Sequence, residues 1–238
     1  MGRGLFITGT DTGVGKTIVT AALLVGLQEA GLRVAALKPV ETGCPLREGR
    51  LVPADAAYLR TIGRLAEPLE AMAPYTFGLP AAPWAAARQA GVEIELSRIA
   101  EAYALLAARA DCVLVEGAGG LLVPLADGVQ FPEVARRLGT PVVIVARTAL
   151  GTLNHTQLTV REARRAGLEV VGIILNDGRA EPDAADEANL ALLDRLVAAP
   201  ILGRIPPLPG RPPTRGALAA AARAHVKLEA LRAALAGC

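Results

Sequence analysis

The chain alternates short, almost continuously apolar runs with longer segments whose apolar positions recur every three to four residues. The first run, 4–8 (GLFIT), ends at a glycine-rich turn, and 16–30 then carries Val19, Leu23 and Leu27 at helical spacing before Gly31. Runs at 33–37 (RVAAL), 112–115, 141–145 (PVVIV), 170–175 (VVGIIL) and 201–202 read as further buried strands. Helical patterns cover 94–109, 132–138, 154–166, 183–197 and 216–235. Strands that are apolar on both sides, alternating with helices, predict a mostly parallel central sheet covered by helices on both faces. No repeat or low-complexity linker interrupts the pattern, and the proline-rich stretch 206–213 reads as a wrapped loop. The prediction is one α/β domain spanning 1–238.

Composition narrows the function. Of 238 residues 52% are hydrophobic, enough to fill a core without a partner. The formal net charge of +2 comes with no block of like charge, which argues against nucleic acid, whose binders neutralise many phosphates. The nearest basic run, 161–165 (REARR), contains an acid and reads as a solvated helix face. The longest uncharged stretch, 71–87, holds three prolines and is a poor membrane helix. The N-terminal apolar run is too short for a secretion signal. Cys44, Cys112 and Cys238 lie far apart, without a zinc-type or paired spacing, so a reducing, cytoplasmic setting is expected.

The chemistry concentrates at turns that follow strands. Residues 9–17 (GTDTGVGKT) join the first strand to the first helix, where backbone N–H groups and a helix N-terminus can cradle an anion. In such a loop Lys16 would reach the outer phosphates of a nucleotide and Thr17 would ligate Mg²⁺. The common pattern has glycine where Thr10 stands, with Gly9 one place earlier. Glu116 closes the strand DCVLV ahead of Gly117, Ala118, Gly119 and Gly120, at the sheet edge where ligands bind in open α/β folds. Asp55 reads locally as the cap of a following helix. Lys38 ends the second strand beside the glycine loop, placed to stabilise a transferring phosphoryl group, and Thr42 and Gly43 offer a hydroxyl and a flexible backbone to a small anion. His155 lacks a second histidine nearby and reads as a packing or hydrogen-bonding group near a helix start. Tyr75 and Trp84 read as packing residues, His225 as a surface or packing residue, and no cysteine has a base partner for thiol chemistry.

In series, 9–17 (GTDTGVGKT), 38–43 (KPVETG), Asp55, 74–77 (PYTF), 115–120 (VEGAGG), 150–155 (LGTLNH), 176–177 (ND) and 203–206 (GRIP) resemble the dethiobiotin synthetases, a P-loop NTPase type of fold. The resemblance spans almost the whole chain. It implies an ATP- and Mg²⁺-dependent closure of a cyclic urea from 7,8-diaminononanoate and CO₂. It assigns Lys16, Lys38 and Thr12 to catalysis. Gly13, Val14, Gly15, Lys16 and Thr17, with Glu116, Gly117, Ala118 and Gly119, would surround the ATP phosphates. Asn176, Asp177, Ile205, Pro206 and Pro207 would border the adenine. Thr17, Asp55 and Glu116 would ligate Mg²⁺. Thr42 would contact the substrate near its reacting groups, while Leu150, Gly151, Thr152 and Leu153 would present backbone N–H groups to its carboxylate from the second subunit of a homodimer. Some members carry glutamate where Gly13 stands, and a tyrosine near Asn189. Two other readings share the fold. One is a partitioning or septum-site ATPase, which has a lysine early in the loop, where this chain has Asp11. The other is a cobyrinate-type amide-forming synthetase, which has a longer chain.

Overall fold

The computed structural model describes residues 4–177 and 184–236. Cys238 and the first residue of the helical pattern at 183 lie outside the described residues. The chain opens with β1 (Gly4–Gly9), α1 (Lys16–Glu29) and β2 (Val34–Leu37). An excursion of short elements follows: β3 (Val40–Thr42), the pair β4 (Leu46–Arg47) and β5 (Arg50–Leu51), α2 (Ala54–Gly63), α3 (Leu69–Met72), β6 (Tyr75–Phe77) and α4 (Pro83–Ala90). Regular alternation resumes with α5 (Leu96–Ala107), β7 (Cys112–Gly120), the pair β8 (Pro124–Ala126) and β9 (Val129–Gln130), α6 (Phe131–Leu138), β10 (Val142–Arg147) and α7 (Thr152–Arg165). It ends with β11 (Val170–Asn176), α8 (Ala184–Leu196), β12 (Ile201–Ile205), α9 (Arg215–His225) and α10 (Leu228–Ala236).

Six strands form the central sheet in the order β12-β11-β10-β1-β7-β2, and every pairing is parallel. Alternation along β1 shows why the sheet must be covered twice. Phe6 enters one core with Ile99, Phe131, Val134 and Val160, while Leu5 and Ile7 enter the other with Val19, Leu23, Leu59 and Leu218. The predicted architecture therefore holds, with boundaries moved by one to five residues.

One element departs from the periodicity. The pattern at 216–235 predicts a single helix, but α9 ends at His225 and α10 begins at Leu228. Between them Val226 is extended and bridges Gly203 on the edge strand β12, and the Lys227 N–H donates to the Leu202 carbonyl at 2.7 Å. The free edge of the sheet recruits this backbone, which a sequence period cannot reveal. Gly203 permits the approach, since a Cβ there would lie 2.1 Å from the His225 carbonyl oxygen.

The readings of His155, Tyr75 and the run at 161–165 hold, and His225 is exposed. The His155 ring packs against Gly151 at the start of α7. The Tyr75 ring is buried, stacks on Phe77, and its hydroxyl accepts from the Glu95 N–H at 2.9 Å. The run at 161–165 is a solvated face on which Glu162 pairs with Arg165. Cys44 and Cys112 are both buried, and burial pushes the Cys44 thiol up to about 11, which keeps it protonated and inert.

Candidate active site

The turn 10–15 carries the chain from the carboxyl end of β1 into α1. Gly13 and Gly15 both have left-handed backbones, at φ 73° and 89°. Gly15 is doubly constrained, because a Cβ there would also lie 2.1 Å from the Asn176 amide nitrogen. Thr10 is not among the residues with positive φ, so the departure from the common glycine pattern strains nothing. Its N–H instead donates to the Val145 carbonyl at 3.0 Å and fixes the start of the loop to β10. The Asn176 amide donates to the Val14 carbonyl at 3.1 Å and fixes the other end to β11.

Glu116 enters from β7. Its register pairs it with Ile7, after which the register slips and Gly9 pairs with Gly120. The intervening Gly117, Ala118 and Gly119 bulge beside the glycine loop, with Gly119 left-handed at φ 69°. The bulge is why this stretch is glycine-rich. A Cβ on Gly119 would lie 2.7 Å from the Val123 side chain.

Lys38 follows β2 and points into the same space. Its ammonium donates to Glu116 at 2.6 Å and pairs with Asp55 Oδ2 at 2.8 Å. Thr17 donates its hydroxyl proton to the same Glu116 oxygen at 2.8 Å. Lys38 is 4% exposed and Glu116 is fully buried, so the two pair away from water. Burial works against the Lys38 charge, but the carboxylates of Glu116 and Asp55 outweigh it and hold its pKa above the ordinary lysine range. Lys16 is poised differently. It folds back so that its ammonium donates to the Asp11 carbonyl at 3.1 Å, and burial, reinforced by the Lys38 charge, brings its pKa down to about 8.

The capping reading of Asp55 is corrected. Asp55 lies inside the first turn of α2, whose N-cap position is Pro53, and its carboxylate reaches Lys38. The cap comes from Glu41 instead, whose oxygens accept from the Asp55 and Ala56 N–H groups at 2.8 and 3.1 Å. Sequence reasoning missed Glu41; the only available signal was an acid inside the short strand-like run of 38–43.

Lys16, Thr17, Lys38, Thr42, Asp55, Glu116, Ala118 and Gly119 line one cavity of about 420 Å³, together with Thr12, Gly13, Gly15, Ile18 and Glu41. A second hollow of about 470 Å³ shares Thr12, Thr42, Ala118 and Gly119 and continues along 80–83 to Val123. Other predicted positions fall elsewhere. Val14 is buried in the core, and Gly117 packs on Phe6 with only its carbonyl turned to Lys38, at 3.5 Å. The Ile205 side chain is fully buried, so only its backbone and the following Pro206 and Pro207 can border a ligand. Asp177 is engaged by Arg204 at 2.8 Å. Leu150, Gly151, Thr152 and Leu153 line neither hollow of the same chain. Leu150 is 80% exposed, Gly151 forms the left-handed N-cap of α7, and the Thr152 N–H is already taken by the Ala149 carbonyl at 3.2 Å, leaving fewer free donors than the segment's position suggests.

The donor set suits a hard cation. Thr17, Asp55 and Glu116 present only oxygen, and the second Glu116 oxygen is buried without a hydrogen-bond partner. Among the described residues no group of three or more His, Cys, Asp or Glu side chains is placed to hold an ion by itself. Phosphate oxygens and water would have to complete the shell of a Mg²⁺ ion held here. Among the described residues no helix is long and apolar enough to cross a membrane.

Comparison with known proteins adds a family. The model of a family described as an AAA domain matches residues 3–213. The ATP-dependent dethiobiotin synthetase BioD of Anaeromyxobacter dehalogenans (strain 2CP-1) is 50% identical over 204 residues, covering 86% of this chain and 90% of that protein. The protein of the same name from Thermodesulfovibrio yellowstonii is 39% identical over 214 residues, covering 87% and 89%. Two solved structures share the fold at low identity. A ParA family ATPase from Chlorobium tepidum is 15% identical with a TM-score of 0.54, covering all of this chain and 96% of that one. The MinC:MinD cell division complex of Aquifex aeolicus matches at 17% with a TM-score of 0.56, covering 92% and 94%.

Proposed function

The chain belongs to the dethiobiotin synthetase family, ATP-dependent ligases of biotin biosynthesis, and from that membership we propose that it closes the urea ring of dethiobiotin from 7,8-diaminononanoate and CO₂, with ATP as co-substrate and Mg²⁺ as cofactor. The observation that carries the reading is the convergence of Lys16, Lys38, Thr17, Asp55 and Glu116 on one cavity at the mouth of the glycine loop.

One substrate amine takes up CO₂ as a carbamate, releasing a proton. A carbamate oxygen attacks the γ-phosphorus of ATP, and ADP leaves. The second amine then attacks the carbonyl of the mixed anhydride, the ring closes, and inorganic phosphate departs. No covalent nucleophile is needed from the protein, so catalysis rests on orientation and on charge placed in advance. Lys16 holds the phosphates. Lys38, protonated at any working pH, holds the carbamate and the transferring phosphoryl group. Thr12 and Thr42 lie where the two hollows meet and orient the diamine. Thr17, Asp55 and Glu116 would hold Mg²⁺, which would neutralise charge on the phosphate oxygens. The direct test is incubation with ATP, Mg²⁺, bicarbonate and 7,8-diaminononanoate. A product with the mass of dethiobiotin is expected; ADP release that ignores the diamine would refute the reading.

The substrate carboxylate lies many bonds from the reacting amines, and the segment 150–153 that would receive it lines neither hollow of its own chain. We place it on a two-fold partner, in a homodimer that builds two equal sites at once. Leu150 at 80% exposure and Leu158 at 56% leave apolar surface at the start and along the length of α7 for such a contact. A Lys16→Gln variant mixed with a variant disabled at Gly151 should regain up to about a quarter of wild-type turnover after subunit exchange, because half the dimers then hold one intact site. A fully active monomer in light scattering would remove the shared site. The setting is expected to be cytoplasmic, with no nucleic-acid or membrane partner.

A further inference from the structure

We propose that Glu41 is a positioning residue for the reaction, holding Asp55 in place through the first turn of α2. This inference rests on the magnesium role proposed above for Asp55. Helix α2 begins without local help. Its N-cap is Pro53, which has no side-chain oxygen to accept the free N–H groups of the first turn, and no side-chain cap is made there. Glu41, 14 residues earlier on β3, supplies both oxygens, one to the Asp55 N–H at 2.8 Å and one to the Ala56 N–H at 3.1 Å. A carboxylate at this end also meets the positive pole of the helix.

The bond to Asp55 fixes the backbone of the residue whose carboxylate reaches Lys38 at 2.8 Å. Lys38 in turn reaches Glu116 at 2.6 Å. One chain of contacts thus runs from β3 through α2 and Lys38 to the middle of β7. Glu41 is itself held from several sides. It is 5% exposed, its strand pairs with β6 through Thr76, and its carbonyl accepts from the Cys44 thiol. Glu41 also lines the cavity and feels the Lys38 charge, but both of its carboxylate oxygens are engaged by the start of α2, so its main route to the reaction runs through Asp55. Without Glu41 two N–H groups would lose their acceptors at the base of the site, and the first turn of α2 would loosen together with Asp55.

The test separates action through Asp55 from a general loss of structure. The readout is the ratio of dissociation constants for the β,γ-imido analogue of ATP in EDTA and in Mg²⁺, measured by calorimetry, which requires no turnover. Glu41→Leu, close in size but without an acceptor, is expected to reduce that ratio roughly 10- to 100-fold, the usual loss when a partner of a metal ligand is removed. Glu41→Gln keeps one acceptor and should fall between. Asp55→Asn should reduce the ratio as well, and Glu41→Leu combined with Asp55→Asn should be no worse than the weaker of the two single variants. Additive losses, or an unchanged ratio in Glu41→Leu, would overturn the proposal. If Glu41→Leu does not fold, Glu41→Gln with Asp55→Asn gives the same cycle. A wild-type protein whose analogue binding ignores Mg²⁺ would instead overturn the metal reading, and the inference with it.

Discussion

Lys38→Gln is expected to lower turnover by about 10²–10³-fold, the loss typical of a single charge-stabilising contact, and to destabilise the ligand-free chain in the same stroke. The two effects share a cause. Lys38 is the cation of a buried cluster in which Glu116 has no access to water and accepts a second hydrogen bond from the Thr17 hydroxyl. Removing the ammonium leaves a buried carboxylate without its ion-pair partner, which costs about 3–5 kcal/mol in comparable pairs. Urea unfolding of the free protein reads the second effect, and steady-state turnover with saturating ATP and diamine reads the first. A second substitution separates them. Glu116→Gln added to Lys38→Gln removes the stranded charge, so stability should recover while turnover stays low. Near-normal turnover in the single variant would take Lys38 out of the mechanism.

The parts of this molecule legible in the sequence are those where one local rule decides. The six central strands are apolar on both sides because both faces are covered, and the loop at 9–17 announces itself through glycines that the backbone requires. The excursion between β2 and α5 was not legible. Its strands run to two or three residues and α3 to four, too short for any period to show. The site is read in the same uneven way. Residues on the glycine loop and at strand ends could be placed by local context, whereas the pairing of Lys38 with Glu116 could not, since the two meet across 78 residues of sequence. Capping rules look for an oxygen beside the helix start, so an acid 14 residues away on another strand escapes them. The split between α9 and α10 belongs with these, because the edge of β12 and not the helix itself decides it.

Lys16→Gln should show the opposite stability response at the same reaction centre. Nucleotide affinity and turnover are expected to fall together, by about 10²–10³-fold in turnover, because the phosphates lose the cation that holds them from the ground state onward. The ligand-free chain should not lose stability. Lys16 is 7% exposed, and its ammonium donates only to a carbonyl, that of Asp11, while the nearby Lys38 charge opposes it. Burial, first, and that like charge bring its pKa from the ordinary 10.5 to about 8. A charged lysine there is therefore a burden on the folded state until phosphates arrive. The folded pKa lies below the unfolded one, so between pH 8 and 10.5 the unfolded chain binds more protons and the Lys16 contribution to stability rises with pH. Below pH 8 the penalty is present in full, up to about 3 kcal/mol. Unfolding in EDTA without nucleotide should find Lys16→Gln at least as stable as the wild type at pH 7, with the gap closing as pH climbs toward 10.5. A loss of stability as large as that of Lys38→Gln would show that the contact with the Asp11 carbonyl outweighs the cost of burial. Unchanged nucleotide affinity would remove Lys16 from the phosphate site altogether.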